Sequence, residues 1–176
     1  MANDKKNKAI PELLSDQSWR NSDLDKRFFE PTYSGAMSLL RRPYSVAFDE
    51  ADIVVAGIPF DNATTFRPGC RLGPRAVRAA SVQLAELSSF PFGFDPFSIL
   101  KVIDSGDFLL NPHNPETIIS DIYKQAISII SSGASLLSIG GDHFVTYPLL
   151  KAHAEIYGPV SLLQFDAHCD TWKSFG

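Results

Sequence analysis

The sequence predicts an α/β fold with three layers, in which a mainly parallel sheet lies between helices. Short apolar runs of strand length alternate along the chain with longer segments that have the apolar spacing of helices. Repeated strand–helix units of this kind form parallel sheets, because a parallel crossover needs the length of a helix. Ligands bind such sheets beyond the carboxyl ends of the strands, so functional residues are expected at that edge.

The predicted units comprise apolar strands and helices with clear end signals. The strands are predicted at Asp52–Ile58, Ile99–Asp104, Leu136–Ile139 and Val160–Phe165. The helices are predicted from Gly73 to about Leu87, between the N-cap Asn114 and the terminal Gly133, and from about Thr146 to Tyr157. Proline early in the first two helices and glycine at the end of the last two support these limits.

The first 50 residues differ from the rest of the chain in composition. They are polar, with scattered aromatic residues and no clean apolar period, which predicts an irregular N-terminal arm that packs against the core or a partner subunit. Residues 51–176 carry the alternating units and are predicted to belong to a single domain.

The overall composition excludes several classes of function. A net charge of −4 gives no basic surface for nucleic acid and does not repel a cationic substrate. No apolar run approaches the roughly 20 residues of a membrane span, and the charged N-terminus lacks the apolar stretch of a signal peptide. Because the chain has only two cysteines, a cytoplasmic protein with reduced thiols is expected rather than a disulfide framework.

Two clusters of residues that can bind metals follow predicted strands. Asp166, His168 and Asp170 come directly after the fourth strand at alternate positions, so in an extended chain they point to one side. His143 follows the third strand after two glycines, which allow the sharp turn that lets it face the same cavity. Either cluster alone is more often a cap or a satisfied polar group. Both clusters at equivalent strand ends predict a metal site.

The chemistry of these four residues indicates the metal and the reaction class. Imidazole and carboxylate ligands suit first-row divalent ions, and a majority of carboxylates favours manganese or magnesium over zinc. Asp166 comes first off the strand and is the natural bridge between two ions, which together activate water for hydrolysis. Cys169 is predicted to be a small filler that points away from the ligands, because a soft thiolate suits zinc better.

Several motifs resemble those of the ureohydrolases, the arginase and agmatinase family. Gly140–His143 and Asp166–Asp170 are similar to the first two metal motifs of that family. Other stretches resemble its agmatinase branch, namely Gly57–Asp61, Arg67–Gly69, Gly73–Arg78 and His143–His153. The resemblance covers about Phe28 to Trp172, nearly the whole chain.

The resemblance implies an arginase-like fold and two Mn²⁺ ions. It implies that His143 and Asp170 bind one ion, that His168 binds the other, and that Asp166 bridges them and activates a hydroxide. The hydroxide would attack the guanidinium carbon of agmatine, a small cationic guanidino substrate, and give putrescine and urea in polyamine biosynthesis. The resemblance also implies a homo-oligomer, a trimer or a hexamer.

The chain also departs from the family pattern. A third motif, Asp-x-Asp on a later strand, and the later residues that contact substrate do not occur before Gly176. The chain is therefore expected to be the amino-terminal portion of a ureohydrolase domain, truncated on its C-terminal side, and four ligands cannot complete two manganese sites. The alternatives are a hydrolase of another guanidino compound, such as guanidinobutyrate or guanidinopropionate, and a non-catalytic metal-binding remnant.

Other charged and aromatic residues give weaker signals. Four arginines lie around the start of the first predicted helix and are expected to form ion pairs more often than an anion site: Arg67, Arg71, Arg75 and Arg78. Asp104 and Asp107 are expected to support or cap rather than bind metal, and His113 and His153 are expected to be ordinary polar residues. Trp172 would either line the substrate channel or simply pack.

Overall fold

The computed structural model describes residues 33–85 and 90–171. These residues contain a three-stranded parallel sheet whose strands lie in the order β2-β1-β3. The strands are β1 (Ile53–Ile58), β2 (Val102–Asp107) and β3 (Ser135–Gly140). The α-helices are α1 (Gly73–Ser81), α2 (Ile118–Ile130) and α3 (Thr146–Tyr157).

Helices cover both faces of the central strand β1. Alternate residues of β1, among them Val54 and Ala56, lie in one buried apolar cluster with Ile122 of α2 and Ala152 of α3. On the other face, a Cβ atom added at Gly57 would lie 2.8 Å from the Cβ of Pro74 in α1. Because successive residues of a strand point to opposite faces, both faces of β1 are buried. The predicted three-layer α/β class is therefore confirmed.

The strand register determines where the loops after β1 and β3 begin. Pairing between β1 and β3 is continuous from Ile53↔Ser135 to Ile58↔Gly140, so these two strands end side by side. The pairing of β1 with β2 shifts between Val55 and Gly57. The segments that follow β1 and β3 therefore leave the sheet at the same edge and next to each other.

Some element boundaries differ from the prediction. Strand β2 begins at Val102 rather than Ile99, because Pro96–Ser98 forms a 3-10 turn in which the Asp95 side chain accepts a hydrogen bond from the Phe97 amide. Helix α1 ends at Ser81 and continues only as a 3-10 turn, and Leu87 lies outside the described residues. A 3-10 turn also precedes α2, and the Asn114 side chain makes no capping hydrogen bond.

The predicted fourth strand is not a strand in this structure. Residues 160–165 form no ladder with another segment, and they are the start of an exposed stretch, 160–171, which we call the ligand segment. Leu163 is 79% exposed and Phe165 is 92% exposed. An apolar run becomes a strand only when another strand supplies hydrogen-bond partners, and no described segment pairs with this one. The prediction at Val160–Phe165 was therefore wrong.

The described part of the predicted N-terminal arm is irregular. It contains 3-10 turns at Leu39–Arg41 and Phe48–Glu50, and Tyr44 forms a single bridge with Asp104 of β2. Arg41 is buried, so this segment packs against the domain. Residues 1–32 lie outside the described part of the chain, and the division at residue 50 stays a prediction. None of the described helices has the length and apolar character needed to cross a membrane.

Candidate metal centre

The turn after β3 lies tightly against the end of β1. Gly141 has a φ angle of +76°, and a Cβ atom there would lie 2.5 Å from the carbonyl oxygen of Ile58 and 2.8 Å from that of Phe60. Only glycine combines this backbone conformation with so close an approach. The Asp142 amide then donates to the Phe60 carbonyl at 2.8 Å. The sharp turn predicted from the two glycines is present.

Asp142 connects this turn to the loop after β1. One carboxylate oxygen accepts a hydrogen bond from the Phe144 amide at 3.1 Å, which caps the 3-10 turn His143–Val145 before α3. The other accepts from the Ala63 amide at 2.8 Å. The sequence did not predict this role, because Ala63 is 79 positions away and only the tertiary fold brings the two residues together.

The four predicted ligands form two pairs. The Nε2 atom of His143 lies 2.8 Å from Oδ2 of Asp170, and Nδ1 of His168 lies 3.0 Å from Oδ1 of Asp166. All four side chains line one cavity of about 940 Å³. Residues 63–67, Cys70, Asp142 and Cys169 complete the lining. The structure thus brings residues from two distant parts of the chain to one site.

The carboxylate of Asp166 is held in its ionised form. The backbone amide of His168 donates to it at 2.8 Å, and this bond is the largest influence that lowers the pKa of Asp166. The imidazole of His168 lowers that pKa further, while partial burial opposes the shift. Hydrogen bonds to a carboxylate favour its charged form. Asp166 is therefore in the state that a metal ligand or a partner for a cationic substrate requires.

The donor set fits a hard divalent ion, although the pairs do not form one closed cluster. Two donors in adjacent positions on an octahedral ion, each about 2.1 Å from it, lie about 3 Å apart. Both observed pairs have this spacing, at 2.8 and 3.0 Å. Among the described residues, however, no three His, Cys, Asp or Glu side chains gather around a single point. Each pair therefore offers two ligands of a site rather than a complete one.

Cys169 does not occupy the place that was predicted for it. It is exposed and lines the same cavity as Asp170, so the prediction of a filler that points away from the ligands was wrong. The prediction was based on the preference of a soft thiolate for zinc, and that argument does not determine where the side chain lies in an irregular, exposed segment. Cys70 also lines the cavity, and both cysteines are free thiols.

An aspartate after β1 fixes the loop that forms part of the cavity lining. Asp61 is 2% exposed and accepts hydrogen bonds from the side chain of Arg71 and from the amides of Gly69 and Arg71. The bond from the Arg71 side chain is the main cause that lowers the pKa of Asp61 to about 2; burial opposes it, and the two amides support it. Asp61 therefore keeps its charge, and its hydrogen bonds with Gly69 and Arg71 hold together the two ends of the loop 61–71.

Asp104 and Asp107 bind an arginine rather than pointing toward a metal. We call Arg78, Asp104 and Asp107 the buried ion network, because Arg78 and Asp104 are buried; the Asp107 side chain is 42% exposed. Arg78 donates to both oxygens of Asp104, at 2.8 and 2.9 Å, and to Asp107 at 2.5 Å. Burial alone would lower the pKa of Arg78, but these bonds outweigh it and raise the pKa above its ordinary value. Ion pairing is confirmed for Arg71 and Arg78, and the supporting or capping role of the two aspartates stays a prediction.

The remaining predicted residues are His113, His153 and Trp172. His113 is exposed, and Nδ1 of the half-buried His153 lies 2.8 Å from the carbonyl oxygen of Leu149 within α3. Neither histidine lines the cavity, which agrees with an ordinary polar role. Trp172 lies outside the described residues, so neither of its two suggested roles is tested.

Comparison with known proteins identifies the family. The arginase family model matches residues 51–176. The chain belongs to the arginase family. It is 53% identical over 161 residues to an agmatinase of Chromobacterium violaceum, a match that covers 91% of this chain and 50% of that protein. The chain therefore spans about half the length of this curated relative.

Solved structures of this family support the fold and the metal class. A crystal structure of a hypothetical agmatinase from Burkholderia thailandensis superimposes with a TM-score of 0.84 and 52% identity, over 92% of this chain and 51% of that chain. A more distant arginase-fold structure, a formiminoglutamase variant of Trypanosoma cruzi described with Mn²⁺, matches at 25% identity and a TM-score of 0.52, over 62% of this chain and 37% of that one. Manganese thus occurs within the family.

Proposed function

We propose that this chain contributes four residues to the metal site of an amidinohydrolase that converts agmatine and water into putrescine and urea. The observation that carries the proposal is the convergence of two histidine–aspartate pairs on one cavity, each with the donor spacing of a metal site. The similarity to agmatinases at 53% identity supports the choice of substrate. The chain covers about half of that relative. We therefore propose the activity for a complete site of which these four residues form a part.

Each of the four residues has a specific role in this proposal. His143 and Asp170 would hold one Mn²⁺, His168 would hold the second, and Asp166 would be shared between them. When bound, two such ions act as Lewis acids and lower the pKa of water, which supplies a nucleophile near neutral pH. Asp166 is suited to the shared position, because its hydrogen bonds with His168 keep it ionised and fix its orientation.

The residues of the cavity also suit a cationic substrate. Asp166 and Asp170 place carboxylates on its lining. A guanidinium is a planar cation, so negative charge on the lining favours its entry into the cavity. A guanidinium carbon is stabilised by resonance, so neutral water attacks it very slowly. The site therefore has to activate the water as well as bind the substrate. Both cysteines are free thiols, which agrees with the proposed cytoplasmic location. We also propose that the chain forms a homo-oligomer.

Metal binding and urea release test the proposal together. We expect the chain to bind Mn²⁺ in calorimetric titration, and Asp166→Asn to weaken that binding by more than about tenfold, because second-sphere changes alone cost 10–100-fold. His113→Ala is the matched control, because His113 is exposed and lies outside the cavity. Urea release from agmatine is then measured with the same samples.

The outcomes separate the competing functions. Metal binding with urea release supports the hydrolase. Metal binding without urea release from any guanidino compound favours the non-catalytic alternative. Retention of both metal and ureolysis by Asp166→Asn contradicts the assigned role of Asp166 and with it the proposed site.

A further inference from the structure

The lining of the cavity comes from stretches that are far apart in the sequence. Residues 63–67, which we call the cavity loop, lie on it together with Asp142, His143 and part of the ligand segment. The proposed metal ligands belong to His143 and the ligand segment, whereas the cavity loop contains no histidine, aspartate or glutamate. Other contacts must therefore hold the cavity loop beside the proposed metal ligands.

Asp142 makes the contact between the cavity loop and the turn that carries His143. Among the described residues, the bond of 2.8 Å from the Ala63 amide to Oδ2 of Asp142 is the one hydrogen bond that joins the cavity loop to a segment outside the loop 61–71. Thr64 also forms hydrogen bonds, but its amide and its hydroxyl both donate to the carbonyl of Asp61 within the same loop. The position of the cavity loop relative to His143 therefore depends on Asp142.

The other bonds of Asp142 fix it to the turn itself. Its amide donates to the Phe60 carbonyl at 2.8 Å, and its second carboxylate oxygen accepts from the Phe144 amide at 3.1 Å. The side chain is half-buried, and each of its oxygens faces a backbone amide. Because His143 is the next residue, a movement of Asp142 also moves His143. The carboxylate thus holds two lining segments in one arrangement.

We propose that Asp142 is a positioning residue that couples the cavity loop to His143, so that a metal ion held by His143 also orders the loop. The inference rests on the proposed function, because it assumes that His143 binds Mn²⁺. An ion that restrains His143 restrains the neighbouring Asp142 as well, so the bond from Ala63 opens less often. The cavity loop is consequently more ordered when the metal site is filled than when it is empty.

Three variants separate the contact with Ala63 from the cap of the turn. Asp142→Ser keeps a side-chain oxygen that caps the turn, because serine is a good N-cap residue, but this side chain is too short to hold Ala63 as well. Asp142→Ala loses both bonds. Asp95→Ser is the matched control, because Asp95 is also half-buried and caps a 3-10 turn through the Phe97 amide at 2.9 Å, but does not line the cavity.

Amide hydrogen exchange, followed by mass spectrometry on peptides that contain Ala63, measures the coupling without and with saturating Mn²⁺. Without metal, we expect both Asp142 variants to speed exchange at Ala63 by about three- to tenfold, the net contribution of one hydrogen bond, and Asp95→Ser to leave it unchanged. Mn²⁺ should slow exchange at Ala63 at least about twofold in the wild type, and this slowing should be lost in Asp142→Ser. Unchanged exchange in α2 shows that each variant is folded.

Two results would overturn the inference. The first is exchange at Ala63 that is the same in Asp142→Ser as in the wild type without metal, which would show that Asp142 does not hold the loop. The second is an equal effect of Mn²⁺ on Ala63 in both proteins, which would show that the coupling does not run through Asp142. If calorimetry shows that the wild type binds no Mn²⁺, the proposed function fails, and the exchange without metal still decides whether Asp142 holds the loop.

Discussion

The buried ion network and the ligand segment hold charged side chains in opposite ways. In the network, the Arg78 side chain is 7% exposed and that of Asp104 is fully buried, and both are paired across different elements. In the ligand segment, the His168 side chain is 82% exposed, and its bonds with Asp166 and Gln164 are local. Packing holds the side chains of the buried ion network in place, whereas local hydrogen bonds position those of the ligand segment with little packing around them. Substitutions in the two regions should therefore affect different properties.

The largest effect is expected from Arg78→Met in the buried ion network. The substitution leaves Asp104 as an uncompensated buried charge, and breaking a buried pair in this way costs about 3–5 kcal/mol of the free energy of unfolding. Urea denaturation measures the loss. Arg75→Met on the same helix is exposed and should change stability by no more than about 0.5 kcal/mol. Equal losses in the two variants would show that the network is not held as the structure indicates.

The next effect concerns the turn after β3, which packs against the end of β1. Gly141→Ala introduces a side chain at positive φ and within 2.5 Å of the Ile58 carbonyl, so the end of β1 or the turn has to move. Gly133→Ala is the control, because Gly133 also has positive φ but no atom within 4 Å of the added Cβ. We expect Gly141→Ala to lose about 1–3 kcal/mol more than Gly133→Ala in urea denaturation, the range for overpacking. A difference near zero would contradict the close approach.

A change in the ligand segment should affect metal binding and leave stability almost unchanged. Asp170→Asn removes the negative charge of a proposed metal ligand that pairs with His143. We therefore expect the affinity for Mn²⁺ to fall by more than about tenfold. Because the Asp170 side chain is 48% exposed, the free energy of unfolding without metal should change by less than about 0.5 kcal/mol. Calorimetry and urea denaturation measure the two quantities, with the exposed Asp49→Asn as control. A large loss of stability would remove the contrast between the two regions.

The smallest effect is a dependence of stability on pH that comes from Asp61. Its pKa in the folded protein is about 2, below the ordinary value of 3.8. A carboxyl group with a lowered pKa stabilises the fold above its unfolded pKa and loses that contribution as the pH falls through its folded pKa. The difference in urea midpoint between the wild type and Asp61→Asn should therefore shrink between about pH 4 and pH 2. A constant difference across that range would show that the Asp61–Arg71 pair does not stabilise the fold through charge.

The sequence predicted those elements whose signals are local. The apolar runs predicted β1 and β3 within a residue of their observed ends, and helix α3 was predicted at its observed limits, Thr146 and Tyr157. Apolar runs, an early proline and a terminal glycine act within one element, so the elements that they predict also form in the folded protein. The predicted ligands also come to one cavity, although the ligand segment that carries three of them forms no strand.

The errors occur where a residue depends on a distant partner. Val160–Phe165 has the composition of a strand but no neighbour to pair with among the described residues. Cys169 was predicted to point away from the ligands because of its soft thiolate, but it lines the same cavity. Asp142 was recognised as part of a motif, but its bond to Ala63 could not be foreseen from the sequence. Arg67 and Arg71 are alike in the sequence, yet only one of them has a carboxylate partner among the described residues.

The sequence by itself determined the α/β class, the helices and the chemical identity of the candidate metal ligands, because these follow from apolar periodicity and from the ligand atoms that each side chain carries. The tertiary structure decided which histidine lies beside which aspartate, which arginines are neutralised, and which one remains at the cavity. Those outcomes depend on the register of β1 with β3 and on contacts between residues far apart in the chain. Charge pairing is a property of distance in space, and only the folded chain fixes that distance.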